Sequence, residues 1–239
     1  MTKKQIYNIK QDIEEKRKII NALLDKHAKH LDDIAWIKGA FIKESLILNQ
    51  CNDKDIRFDT CSDFMQNISS TWDTIVQQTN KKIFKLSDVM DVHYNLTKNT
   101  DVIPCSMRTK MVYALSTPIP AQPTPEITRQ HLDDILYRMN SGNQRPLQRA
   151  FDAHYEIIIL QPFNDFNKRT ARMIMNWFLI SKGYRPIVFN YAPDNQEYMN
   201  ALRYAINGDK KSYYGYMYKC MLRTQQDIIR RLTKSKTLL

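Results

Sequence analysis

Between two apolar segments of this chain lies a short polar and basic stretch, Gln161-Pro162-Phe163-Asn164-Asp165-Phe166-Asn167-Lys168-Arg169-Thr170-Ala171-Arg172. Upstream, Pro146 to Leu160 carries Leu147, Ala150, Phe151, His154, Ile157 and Ile158 at the three-and-four spacing of one helix face. Downstream, Ala171 to Ile180 is apolar on nearly every side, which suits a helix at the centre of a bundle. The joining loop has to turn the chain and start the second helix, and Asn164 or Asp165 is the residue type that caps such a start. Backbone N–H groups at that helix end, together with Lys168, Arg169 and Arg172, make an anion site. The rest of the chain is read as scaffold around this loop.

Length and composition narrow the scaffold. With 239 residues there is polypeptide for one substantial core, or one core with a small appendage. Five glycines favour a helical chain over a turn-rich β one. Met1-Thr2-Lys3-Lys4 opens a charged segment that resembles no signal peptide, and no apolar run reaches the length of a membrane span. A soluble protein is therefore expected, in the cytoplasm. Cys51, Cys61, Cys105 and Cys220 lack zinc-ligand spacing and read as buried or free thiols in a reducing compartment. The net charge of +11 asks for an acidic partner: phosphate at the loop, nucleic acid or an anionic membrane at the basic ends, or simply solvent.

Periodicity lays out the elements. An amphipathic helix is predicted over about Lys4 to His30, able to pack on the body or to pair with a second copy, and another over Asp32 to Leu48. Helices follow over Cys61 to Asn80, Ser87 to Leu96, Pro125 to Asn140, Gln196 to Ile206 and Ser212 to Leu232. Met111 to Leu115 is a short β-like run before Pro118, Pro120, Pro123 and Pro125. The expected organisation is an N-terminal helix over residues 1–35, a core over 36–220 and a basic C-terminal helix or tail over 221–239. Arg223, Arg230, Arg231, Lys234 and Lys236 in that tail read as a solvated helix, because no stacking aromatics interleave with them.

The dodecapeptide resembles the signature of the Fic/Doc (Fido) family, H-x-F-x-(D/E)-G-N-(G/K)-R-x-x-R. Phe163, Asp165, Asn167, Lys168, Arg169 and Arg172 fit it, with Lys168 as in the Doc branch, while Gln161 stands at the place of the catalytic histidine and Phe166 at that of the first glycine. His154-Tyr155, Asn176, Gly183-Tyr184-Arg185-Pro186, Tyr198, Ala201-Leu202 and Gly208-Asp209 follow in family order. The resemblance implies an all-α Fic fold, a helical bundle around a central motif-bearing helix with a short β-hairpin flap. It implies too that Asp165 holds magnesium, Asn167 donates to the reacting phosphate, Arg169 neutralises the departing phosphates and Arg172 grips the terminal one, with Phe166 and Lys168 lining the cradle. ATP or another nucleotide donor, with Mg2+, would be the ligand of an active member.

Two further segments carry the resemblance. Arg108 with Val112, Tyr113, Ala114 and Leu115, near 108–123, looks like the flap that docks an extended segment of a target protein by strand addition. Ser45 and Asn49, in the helix near 41–50, stand where many members carry an inhibitory Ser-x-x-x-Glu; Asn49 lacks the charge of that Glu. Gln161 has no proton-accepting group near neutral pH, and loss of a general base costs about a hundred- to ten-thousand-fold in rate. His154, seven residues back and roughly 10 Å along a helix, is read as a core histidine. The leading expectation is a Fic-fold pseudoenzyme, or a member of altered chemistry, that binds a nucleotide or protein partner in the cleft. The alternatives are a working protein adenylyltransferase or phosphotransferase acting on Ser, Thr or Tyr hydroxyls, in which the target hydroxyl or Asp165 manages the proton, and a basic helical nucleic-acid binder. By resemblance such a protein acts in its own cell or, as an effector or toxin-like protein, in another cell's cytoplasm.

Overall fold

The computed structural model describes residues 1–27, 35–50, 58–114, 117–189 and 191–234. In chain order the elements are α1 (Lys3–His27), α2 (Ala35–Gln50), α3 (Phe58–Gln77), α4 (Leu86–Thr97), β1 (Val112–Ala114), β2 (Thr117–Ile119), α5 (Pro125–Ser141), α6 (Pro146–Leu160), α7 (Asn167–Ser181), α8 (Tyr191–Ile206) and α9 (Lys210–Lys234). The fold is all-α with one two-stranded antiparallel hairpin, in which Val112 faces Ile119, Tyr113 faces Pro118 and Ala114 faces Thr117. α8 starts five residues ahead of its expected start, since Pro193 in a first helical turn lacks only an N–H that has no helical partner there.

The chain divides into two compact units, Met1–Glu44 with Tyr184–Leu239, and Ser45–Gly183. In the first, α9 packs on α1 and α8. Ile13 and Ile20 of α1 are buried there, and so are Tyr213, Met217, Met221 and Ile228 of α9. Polar bonds tie the strand-free stretch after α7 to the same unit: the Tyr184 hydroxyl donates to Glu14, and Thr224 accepts from the Val188 N–H at 3.2 Å. The segment from 221 to 234 continues α9 without a break.

The second unit contains the motif. α7 is its axis: from Asn167 to Ile180 every residue but Lys168 is buried, which fits the run from Ala171 to Ile180 that is apolar on nearly every side and takes Asn167, Arg169, Arg172 and Asn176 inside with it. α6, α4 and α3 pack against it, and α5 covers α6. Phe84 sets its ring edge-on to Trp177 and Phe178, at 5.0 and 5.6 Å between centroids, and so fixes the far end of α7. Thr124 caps α5 by accepting from the Ile127 N–H, with Pro125 at the first helical position. Pro146 likewise stands at the first helical position of α6, which has no side-chain cap.

Candidate functional site

α6 ends at Gln161, whose left-handed backbone (φ 45°, ψ 61°) breaks the helix while its N–H still donates to Ile157 O. The chain turns through Phe163, which is fully buried, and re-enters helix at Phe166, again left-handed (φ 62°, ψ 7°). Phe166 is thus the N-cap of α7, and the expectation that Asn164 or Asp165 caps it is corrected. Asp165 instead turns its carboxylate to the Phe166 N–H at 2.5 Å and to Arg169 Nη2 at 3.3 Å, one turn on. A left-handed residue at the place of the family's glycine means that the backbone turn is kept although the side chain is an aromatic.

The Phe166 ring does not turn outward. It is buried under the Arg169 guanidinium, 3.4 Å from ring centroid to Cζ, and Phe64 of α3 approaches the same guanidinium at 5.0 Å. Burial pulls the Arg169 pKa down to about 10, against the opposing pull of Asp165 and with a smaller push from Arg172. Its Nη1 is buried without a hydrogen-bond partner, so the cation keeps an unspent donor. Arg172 is fully buried, farther along α7, and Lys168 is half-buried. His154, expected as a core histidine, is wholly buried; burial first and the Arg172 charge second hold its pKa down to about 3, so it is neutral.

Asn167 spends its side chain within the loop. Its Oδ1 accepts from the Phe163 N–H at 2.9 Å, and its Nδ2 donates to Phe163 O at 2.8 Å and to Gln161 Oε1 at 3.0 Å. Gln161 in turn donates from Nε2 to Ile158 O at 2.7 Å. The expected donor to a phosphate and the residue at the histidine place are therefore bonded to each other.

Two braces of this loop were not legible as such in the sequence. His93 of α4 accepts the Cys105 N–H at Nδ1 (3.0 Å), which leaves Nε2 as the protonated nitrogen donating to Asp165 O at 3.2 Å. Burial lowers its pKa to about 4. Arg108, named only as the start of the hairpin, is buried and reaches five carbonyls: Gln161 and Leu160 at the end of α6, Lys110, Ile119 and Pro120 around the hairpin. Its own N–H donates to Pro162 O, and Met107 pairs with Phe163 as a bridge. The three-and-four spacing of Val89, Val92, His93 and Leu96 along α4 marks His93 as inward-facing, but nothing in spacing announces its two bonds.

The hairpin thus sits stapled to the motif loop. Tyr113 at its outer face is 70 % exposed, and Met111 before it is also exposed. Leu115 of the expected docking strand lies outside the described residues. Ser45 and Asn49 fall on α2, but their side chains likewise lie outside what is described. For magnesium, Asp165 is the one carboxylate of the loop and is exposed. Among the described residues no cluster of three His, Cys, Asp or Glu side chains could hold a metal by itself. One exposed carboxylate beside cations fits a magnesium carried in on a nucleotide's phosphates, since that ion keeps several waters. Cys105 and Cys220 are not joined in a disulfide, and among the described residues no helix is long and apolar enough to cross a membrane.

A bundle wrapped around a buried helix, with a left-handed loop at its N-terminus and a hairpin fastened beside that loop, is the Fic fold. Comparisons agree. The model of the Fic/DOC family matches residues 83–179. The protein adenylyltransferase fic-1 of Caenorhabditis elegans is 30 % identical over 139 residues, which cover 56 % of this chain and 26 % of that protein. The protein adenylyltransferase Fic of Nematostella vectensis is 24 % identical over 63 % of this chain and 35 % of its own length. The chain thus spans about a quarter to a third of the length of these curated relatives. Among solved structures, C. elegans Fic-1 (aa134 - 508) superposes with a TM-score of 0.74 at 20 % identity, over 96 % of this chain and 73 % of that one. A Fic-domain-containing signaling protein from Bacteroides thetaiotaomicron gives 0.75 at 18 %, over 95 % and 97 %. Residues 83–179 of the chain thus match the Fic/DOC family, and its fold is that of the solved Fic structures.

Proposed function

We propose that this chain binds the phosphates of a nucleotide at the 161–172 loop and does so without base-catalysed transfer to a hydroxyl, as a Fic-family member of altered or absent transfer chemistry. One observation carries the reading: at the place of the family's base stands Gln161, a carboxamide with Nε2 committed to Ile158 O and Oε1 to Asn167. Neither histidine near the loop replaces it. His154 is fully buried, and His93 spends both ring nitrogens on the backbone. A phosphoryl centre is stabilised by positioned cations and N–H donors. Here Arg169, with its free Nη1, and the start of α7 supply those for binding. Bound ATP would bring the transferable group, with its magnesium beside Asp165.

A second reading, protein adenylyltransferase activity at reduced rate, is favoured by the names of the relatives. Its protein target would dock at the exposed face of the hairpin around Tyr113. Calorimetric titration with ATP and magnesium, beside Arg169→Gln, separates the outcomes once intact-mass spectra are taken of the chain and of lysate proteins. Binding that Arg169→Gln abolishes, with no added mass, supports the proposal. An AMP adduct on a hydroxyl overturns it in favour of the second reading, and absence of binding sinks both for ATP.

A further inference from the structure

The two side-chain amides in the loop form a closed set, and their orientation is fixed by the backbone between them. Phe163 presents an N–H and a carbonyl to the same Asn167 amide, at 2.9 and 2.8 Å, so Oδ1 must face the former and Nδ2 the latter. An amide nitrogen has two protons. The second Asn167 proton points to Gln161 Oε1 at 3.0 Å, and this settles the Gln161 amide as well, with its Nε2 on Ile158 O at 2.7 Å. Both side chains are buried, with 4 % and 9 % exposure. Asn167 therefore has no proton left to give an anion.

From this we infer that Gln161 is a positioning residue that withholds one donor of Asn167, and so sets the affinity of the loop for phosphate. The inference rests on the reading that phosphate binds here. Gln161 is well held for such a role: its N–H bonds Ile157 O, and Arg108 grips its carbonyl, so only the side-chain amide is free to leave. If that amide leaves, one Asn167 N–H is released at the same loop that carries Arg169 Nη1, which is buried and unpartnered. A hydrogen bond to an anion is roughly twice as strong as one between neutral amides, so the released N–H favours phosphate over Gln161. The expected consequence has an unusual sign. Truncating the residue at the family's catalytic place strengthens binding, while changing no atom of Asn167 or Arg169.

The test is a titration of the wild-type chain, Gln161→Ala, Gln161→Met and Gln161→Glu with inorganic phosphate, ADP and adenosine. Gln161→Met keeps the length and fills the space, and carries the test where the alanine variant fails to fold. Gln161→Glu keeps an acceptor for Asn167. The expected result is that the Ala and Met variants bind phosphate and ADP about tenfold more tightly than wild type, the worth of one such bond. Adenosine binding stays unchanged, and the Glu variant shows no gain. Phosphate binding by Gln161→Met but not by wild type would uphold the inference and remove the reading of the natural chain as a phosphate binder. The inference is overturned by Ala and Met variants that bind phosphate no better than wild type, whether or not wild type binds. A gain that extends equally to adenosine overturns it as well, since that reports general loosening of the loop.

Discussion

The imidazole of His93 lies against the ring of Phe163, with centroids 3.7 Å apart and planes 23° from parallel. The first ring belongs to α4 and the second to the turn between α6 and α7, so a single stack joins the motif loop to the scaffold. The two ring nitrogens then fasten Cys105 N–H and Asp165 O. Replacement by leucine keeps an apolar body but leaves that N–H and that carbonyl without partners. A loss of about 2–4 kcal/mol is expected, the cost of unpaired buried polar groups plus lost aromatic packing. Urea denaturation at pH 7 measures it, and a change under about 0.5 kcal/mol would show that His93 is no brace.

Acid should act on the same residue. His93 has its pKa lowered from 6.5 to about 4 by burial, and His154 from 6.5 to about 3. In each case the unfolded chain takes up a proton that the folded chain refuses, at any pH between the two values. Stability is therefore complete above about pH 6.5 and falls as pH drops through that window. Each tenfold disparity in protonation is worth about 1.4 kcal/mol, which makes the expected loss by pH 4 on the order of a few kcal/mol for each of the two residues. Urea midpoints taken at half-unit steps should decline below pH 6.5 in the wild type and less steeply in His93→Leu. Parallel declines would separate His93 from the effect.

Much of this architecture was legible in the sequence because the helices are strongly periodic. α6 and α7 fall where the spacing of Leu147 to Ile158 and the all-round apolar run from Ala171 put them. The loop chemistry was less so. Residue types such as Asn167 and Arg169 announce a phosphate site, yet which donors remain unspent depends on long-range bonds that no local pattern encodes. Arg108 is the plainest case, since its acceptors are carbonyls from positions 110 to 161 and carbonyls are the same in every residue. The helix cap departs from what residue types suggest for a related reason. Asn164 and Asp165 have capping side chains, but the left-handed turn at Phe166 moves the start of α7 past them.

Arg108 gives a sharp prediction for the hairpin. A guanidinium has five N–H donors in a rigid fork, and this one divides them among five carbonyls on both sides of the seam between α6 and the hairpin. Lysine has three donors at one point and cannot span that set. Arg108→Lys should cost about 2–4 kcal/mol although the charge is retained. Hydrogen exchange should speed up at the amides of Val112, Tyr113 and Ile119 more than along α5. Uniform acceleration across the unit would refer the loss to global stability instead of to release of the hairpin.

Phe166 sets two effects against each other, and a pair of substitutions resolves them. Its φ of 62° is a region that costs an L-residue roughly 1–2 kcal/mol and glycine almost nothing. Its ring is buried against the Arg169 guanidinium and stands edge-on to Phe64 at 5.8 Å, and removal of a buried phenyl group usually costs about 3–5 kcal/mol. Both Phe166→Ala and Phe166→Gly lose the ring, but only the glycine variant escapes the backbone cost. Glycine should therefore be less destabilising than alanine by about 1 kcal/mol, the reverse of the usual order at a helix interior. Thermal and urea unfolding of the two variants measure the difference directly. Equal stability, or an advantage for alanine, would mean that the left-handed turn is not maintained when the ring is gone. The ring's packing would then be what holds the loop in its turn.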